Sequence, residues 1–215
     1  MPAQALDAAG IRAWASAVAA AVVAERDRLT ELDAAIGDGD HGANLARGFG
    51  AVTAALESSD ADTPGGVAIL IGRTLISSVG GASGPLYGTL FRAMGKSFGE
   101  LAAVDAEQVA AGLTAGLVGI GKLGSAVPGD KTMVDALTPA LRAWEADVVD
   151  GGDLVSAARA AAAAAAKGAE ATIPMEARRG RASYLGPRSA GHEDPGAAST
   201  VLVLAALREV IAAEG

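Results

Sequence analysis

Three aspartates, Asp33, Asp38 and Asp40, fall within eight residues in the string Leu32-Asp33-Ala34-Ala35-Ile36-Gly37-Asp38-Gly39-Asp40-His41-Gly42, and no lysine or arginine stands between Arg28 and Arg47. Carboxylates crowded in this way repel and raise one another's pKa. A hard divalent cation resolves the repulsion, and Mg2+ usually binds through a few carboxylates completed by substrate phosphates. Taken singly, each aspartate reads as a solvated turn or cap residue. The crowding, with glycines that let the backbone bend, is what favours a cation site. An EF-hand starting at Asp38 needs an acidic twelfth residue, but Phe49 stands there. A phosphatase-type Asp-x-Asp follows a strand, whereas this one follows a helical pattern.

Three further loops are rich in chemistry-bearing residues. Gly80-Gly81-Ala82-Ser83-Gly84-Pro85 opens a helix, where free backbone N–H groups suit an anion and Ser83 adds a hydroxyl. It lacks the Gly-Lys-Ser/Thr of a Walker A loop and, alone, reads equally as a plain helix–helix turn. Gly121-Lys122-Leu123-Gly124 runs on to Pro128-Gly129-Asp130-Lys131-Thr132-Met133. There Gly-Asp-Lys-Thr resembles a P-loop end at the wrong spacing, Asp130 is expected to cap the next helix, and Gly124 and Met133 suit an apolar slot for a flat base. The fourth loop carries Arg178, Arg179 and Arg181, then Gly191-His192-Glu193-Asp194-Pro195-Gly196. Arginine suits bidentate phosphate contact, though a solvated basic loop is the plainer reading. His41 and His192 are the only histidines, and each reads either as catalytic or as a residue that orders a loop.

The elements that position these loops are helical. Half of the 215 residues are apolar but only 3% are aromatic, so the core is expected to be built of Ala, Val, Leu and Ile. Ile11, Trp14, Val18, Val22, Leu29, Leu32 and Ile36 recur mainly at three-to-four spacing, which predicts one long first helix to about Ala35. Further helices are expected over 43–57, from Pro64 to before Gly80, from Gly84-Pro85 to near Phe98, from Asp105 to about Lys122, from Asp130 to Val148, after Asp153, and over 196–213, with residues 173–195 a long polar loop. Almost no strand pattern is present. Eight helices joined by short turns favour an all-α antiparallel bundle or closed barrel. Alternate loops of such an array share one end, which would gather residues 36–44, 80–84, 121–133 and 178–196 at a single rim.

Composition narrows the partners. The net charge of −8 and the lack of a basic face argue against nucleic acid. No cysteine is present, which removes disulfides and thiol chemistry. The apolar stretch Trp14–Val23 lacks a basic flank and reads as a helix face, and no run of about 18 uncharged apolar residues suggests a membrane span. A cytoplasmic protein is expected.

Together the four loops resemble the L subunit of dihydroxyacetone kinase, its nucleotide-binding half. The resemblance rests on Leu32-Asp33 through Gly42, Gly80 through Gly88, Pro128 through Met133, Gly180-Arg181-Ala182-Ser183-Tyr184-Leu185-Gly186 and Asp194-Pro195-Gly196, in order along nearly the whole chain. It implies one nucleotide-binding domain over residues 1–215, an eight-helix antiparallel barrel with ADP or ATP at one rim, and two Mg2+ ions held by Asp33, Asp38 and Asp40. It further implies that His41, Gly42, Ala43 and Asn44 border the nucleotide, that Ala82 and Ser83 touch the phosphates, that Gly124 and Met133 flank the base, and that Arg181, Asp194, Pro195 and Gly196 complete the site.

In that family the ketone sits on a separate K subunit, so no catalytic nucleophile is expected on this chain. The donor is either ATP or, with ADP kept as a cofactor, an M subunit of the phosphotransferase system; the second is slightly favoured, and a homodimer is left open. The alternatives are a kinase subunit for another short ketose and an ADP-holding regulatory protein.

Overall fold

The computed structural model describes residues 5–213, so the expected domain bounds, 1–215, extend past the described residues at both ends. Among these residues the elements are β1 Leu6–Asp7, α1 Ala8–Ala24, α2 Arg26–Ile36, α3 His41–Glu57, α4 Pro64–Ser78, α5 Ser83–Phe98, β2 Ala103–Val104, α6 Ala106–Gly124, α7 Met133–Val149, α8 Leu154–Glu170, a 3-10 helix Arg181–Ser189, and α9 Pro195–Ala213. The all-α expectation holds; the strands are a two-residue antiparallel ladder pairing Leu6 with Val104.

Each helix of the series α1, α3, α4, α5, α6, α7, α8, α9 packs on the next, and α9 packs back on α1, closing an eight-helix antiparallel barrel. The expected long first helix is corrected. It breaks at Glu25, and α2 leaves α1 at 65°. The apolar stripe is interrupted between Val22 and Leu29, where Glu25 and Arg26 stand, so a straight helix would have no apolar surface to bury there. Turned aside, α2 packs on α3 and α9 with Leu29, Asp33 and Ile36 buried. A Cβ at Gly42 would lie 2.7 Å from Thr30 Oγ1 and close on Arg26 O, so that glycine lets α3 start against α2.

Trp14, Phe49 and Phe91 meet at the centre, with ring centroids 5.1 Å (Trp14–Phe91) and 6.4 Å (Phe49–Phe91) apart. The Trp14 indole donates to Val203 O at 2.8 Å, which satisfies its buried N–H. Small residues set the tightest seam. A Cβ on Gly72 would lie 2.6 Å from Gly88 O, one on Gly88 2.7 Å from Gly72 O, and one on Gly95 2.6 Å from Gly65 O, so α4 and α5 touch backbone to backbone. By length and composition α9 is apolar enough to cross a bilayer, but half of that stretch is buried in the fold, where α9 packs on α1, α7 and α8.

Candidate functional site

The 65° turn into α2 delivers Asp33 to the rim. Asp33 is 9% exposed, and its Oδ2 accepts the backbone N–H groups of Asp40 (2.8 Å) and His41 (3.1 Å). The carboxylate thus folds the loop back on the helix end, with Gly39 in the left-handed region at φ 71°. Asp33, Asp38 and Asp40 each offer one oxygen, all within 4.8 Å of one another. An all-oxygen set of three carboxylates at this separation fits a hard divalent cation. Across the mouth, Arg181 Nε lies 3.0 Å from Asp38 Oδ2.

His41 opens α3 and is buried. Its Nδ1 is 3.0 Å from Ser83 Oγ at the start of α5, and its Nε2 is 2.9 Å from Ser199 Oγ in the first turns of α9. Ser199 in turn meets the Tyr87 hydroxyl at 2.7 Å, and burial pushes the Tyr87 phenol up to about 12. Burial also lowers the His41 pKa, outweighing the nearby Asp33 and Asp40 charges. A neutral imidazole with one donating and one accepting nitrogen therefore joins three helix starts.

Of the helices that start at this rim, α7 and α9 have a side-chain N-cap, from Thr132 and Asp194, whereas α3 and α5 have none. Side chains also cap the N-termini of α4 (Thr63), α6 (Asp105) and α8 (Asp153), whereas α5 begins at Ala82 with no side-chain cap. The first-turn N–H groups of α5 are left for another acceptor, the arrangement that binds an anion. The sequence expectation for Asp130 is corrected: Thr132 caps α7, in a reciprocal box with Asp135. Asp130 instead accepts Val127 N–H at 3.1 Å and Arg179 Nε at 3.0 Å. Burial works to raise its carboxyl, but those two donors and the charges of Arg179 and Arg178 hold it below its ordinary value.

These parts enclose a cleft of about 490 Å³. Of the residues singled out by sequence, Asp33, Asp38, Asp40, His41, Ala82, Ser83, Gly124, Met133, Arg181, Asp194, Pro195 and Gly196 all line it. Gly42, Ala43 and Asn44 do not; they continue α3 behind His41, with Ala43 exposed and Asn44 Oδ1 accepting from Arg47 at 2.6 Å. His192 is exposed and does not line the cleft either. Ile36, Leu86, Ile120, Leu123 and Val134 give the cleft an apolar side next to its acidic mouth. Sequence reasoning assigned no part to Tyr87 or Ser199, and did not foresee that Arg179 pairs with Asp130. The first two were legible only as polar residues in apolar helix stripes, and Arg179 only as one member of a basic run.

Residues 35–209 match the DAK2 domain, and the chain belongs to that family. It is 40% identical over 195 residues to the PEP-dependent dihydroxyacetone kinase 1, ADP-binding subunit DhaL, of Listeria innocua, covering 90% of this chain and 92% of that one. It is 41% identical over 180 residues to the corresponding ADP-binding subunit of Escherichia coli K12, covering 84% and 86%. Among solved structures, the dihydroxyacetone kinase of C. freundii in complex with AMP-PNP and Mg2+ superposes with a TM-score of 0.73 at 29% identity. That match covers 97% of this chain but 34% of the C. freundii protein, so this chain spans about a third of that longer kinase.

Proposed function

We propose that this chain is the nucleotide-carrying subunit of a dihydroxyacetone kinase, holding ADP or ATP with Mg2+ in the rim cleft. One observation carries the reading: three carboxylate oxygens within 4.8 Å at the mouth of a cleft whose far side is apolar. Asp33, Asp38 and Asp40 would hold the metal, two ions by the family resemblance, and the metal would neutralise phosphate charge. Ser83 and the uncapped start of α5 receive the phosphates, and Arg181 adds a donor that suits them. Leu86, Gly124 and Met133 take the base, His41 borders the nucleotide, and the Asp194–Gly196 turn closes the remaining side.

Phosphoryl transfer requires positioning and charge neutralisation more than a side-chain nucleophile. This chain supplies both for the donor, and the ketone, dihydroxyacetone, is held on a separate K subunit. ADP kept in place and rephosphorylated by an M subunit of the phosphotransferase system is the favoured cycle, in line with the PEP-dependent relatives.

Reconstitution tests this directly. The purified chain is mixed with a K subunit and dihydroxyacetone, and product is compared with ATP or with phosphorylated M subunit as donor. Product with the M subunit and ADP, and little with ATP, is expected. No product from either donor, together with no ADP carried by the purified chain, would overturn the assignment.

A further inference from the structure

The Gly-Asp-Lys-Thr string resembles a phosphate loop in composition only, and the fold gives its lysine other work. Lys131 is 1% exposed. Its ammonium donates to Thr172 O at 2.7 Å, to Ile173 O at 3.4 Å and to His192 O at 2.5 Å. A lysine has three donors and no acceptor, so these carbonyls occupy it fully. They belong to the two ends of the segment 173–192 and to Thr172 just before it, and Gly191 N–H donates to Ile173 O at 2.7 Å, joining those ends to each other. The segment is a strap whose ends meet, and it contains the 3-10 helix Arg181–Ser189. Inside it, Ala177 N–H donates to the fully buried Ser189 hydroxyl at 2.8 Å. Lys131 itself sits at φ 61°, a left-handed conformation that a non-glycine residue holds only where its surroundings enforce it. Among the groups around the ammonium, the buried Asp194 supplies opposite charge.

The strap carries Arg179, paired with Asp130, and Arg181, paired with Asp38. We propose that Lys131 is a positioning residue of the cleft: its ammonium clasps both ends of the 173–192 strap and thereby fixes Arg181 over the aspartate triad. With its donors on carbonyls, Lys131 acts through the strap and touches no phosphate. The effect on binding rests on the Mg-nucleotide reading above; the clasp itself does not.

Lys131→Met keeps the stem and removes the ammonium. Trypsin should then cut at Arg178, Arg179, Arg181 or Arg188 about tenfold faster, with far-UV circular dichroism unchanged, as expected when a set of charged hydrogen bonds is lost. Mn2+ affinity without nucleotide should rise, by no more than the roughly fivefold that loss of the Arg181–Asp38 contact gives, while ADP affinity in the presence of Mn2+ falls about tenfold. In an Arg181→Gln background the same change should cost little further affinity, because both act through one contact. Unchanged tryptic rates overturn the clasp, and fully additive losses in the double variant overturn action through Arg181. Should Lys131→Met lose helicity, Lys131→Gln is read in the same way. If the wild-type chain binds no ADP, the nucleotide reading fails, and the tryptic rates alone still decide the clasp.

Discussion

Arg181 Nε stands 3.0 Å from Asp38 Oδ2, so a strap arginine and a triad carboxylate share one contact at the mouth of the cleft. The arginine side chain is 69% exposed, and an ion pair that open contributes at most about 1 kcal/mol. It nevertheless sets a competition, because a divalent cation would draw on the same carboxylate. Arg181→Gln is therefore expected to act in opposite directions. Mn2+ affinity without nucleotide should rise by up to about fivefold as the competing charge leaves. ADP affinity with Mn2+ present should fall about tenfold, through loss of a charged donor to phosphate. Calorimetric titration reads both, and a fall in both would sink the competition.

Asp33 and Asp38 sit in one triad but do different structural work. Asp33 Oδ2 holds two backbone N–H groups, whereas the side-chain contact of Asp38 is the exposed Arg181. Asp38→Asn should weaken retention of ADP sharply and leave helicity and urea stability within about 0.5 kcal/mol of wild type. Asp33→Ala should also lose metal binding and, in addition, about 1–3 kcal/mol of stability, since two N–H groups are left without an acceptor. Equal urea midpoints for the two variants would show that Asp33 does not organise the loop.

The sequence carries much of the geometry of the candidate cleft. Polar loops recurring after alternate helices predict a common rim, and twelve of the fifteen residues that the sequence and the resemblance assign to metal or nucleotide line the cleft. The helix ends were legible where a cap residue stands at the boundary, as at Asp105 and Asp153. The rest depended on contacts between distant segments. The break at Glu25 reflects where α3 and α9 offer surface to α2, of which the sequence gives only a gap in the apolar stripe. Asp130 carries a capping residue type, but Thr132 with Asp135 makes the reciprocal box and frees Asp130 for Arg179, 49 residues away. Lys131 meets carbonyls 41 and 61 residues distant, and no local pattern announces them.

Burial pushes the Asp194 carboxyl up from 3.8 to about 7, against the Ala197 N–H and the Lys131 charge, which favour the carboxylate. In the unfolded chain the group ionises near its ordinary value, so the protonated form is the one that favours folding. That contribution is full below about pH 4 and is lost as the pH rises through about 7. Asp194→Asn keeps an oxygen for the Ala197 N–H and cannot ionise. The stability of the variant relative to wild type should therefore climb between about pH 4 and 7 and level off above. A difference that stays flat across that window, measured by urea unfolding, would mean that Asp194 does not ionise there.

The α4–α5 seam gives a prediction independent of the site. Gly72 and Gly88 face each other so closely that a Cβ on either meets the other's carbonyl oxygen at 2.6–2.7 Å. A backbone oxygen cannot turn aside as a side chain can, so Gly88→Ala must push the helices apart, at a cost of about 1–3 kcal/mol. Gly50, in α3, is exposed with nothing within 4 Å of its would-be Cβ. There an alanine should stabilise by about 0.5–1 kcal/mol through helix propensity alone. The same substitution thus carries opposite signs at two helical glycines of one barrel, and urea unfolding of both variants reads the difference. No loss of stability at Gly88 would mean that the backbone-to-backbone seam is looser than these distances require, and a loss at Gly50 would mean that helix propensity does not decide the sign there.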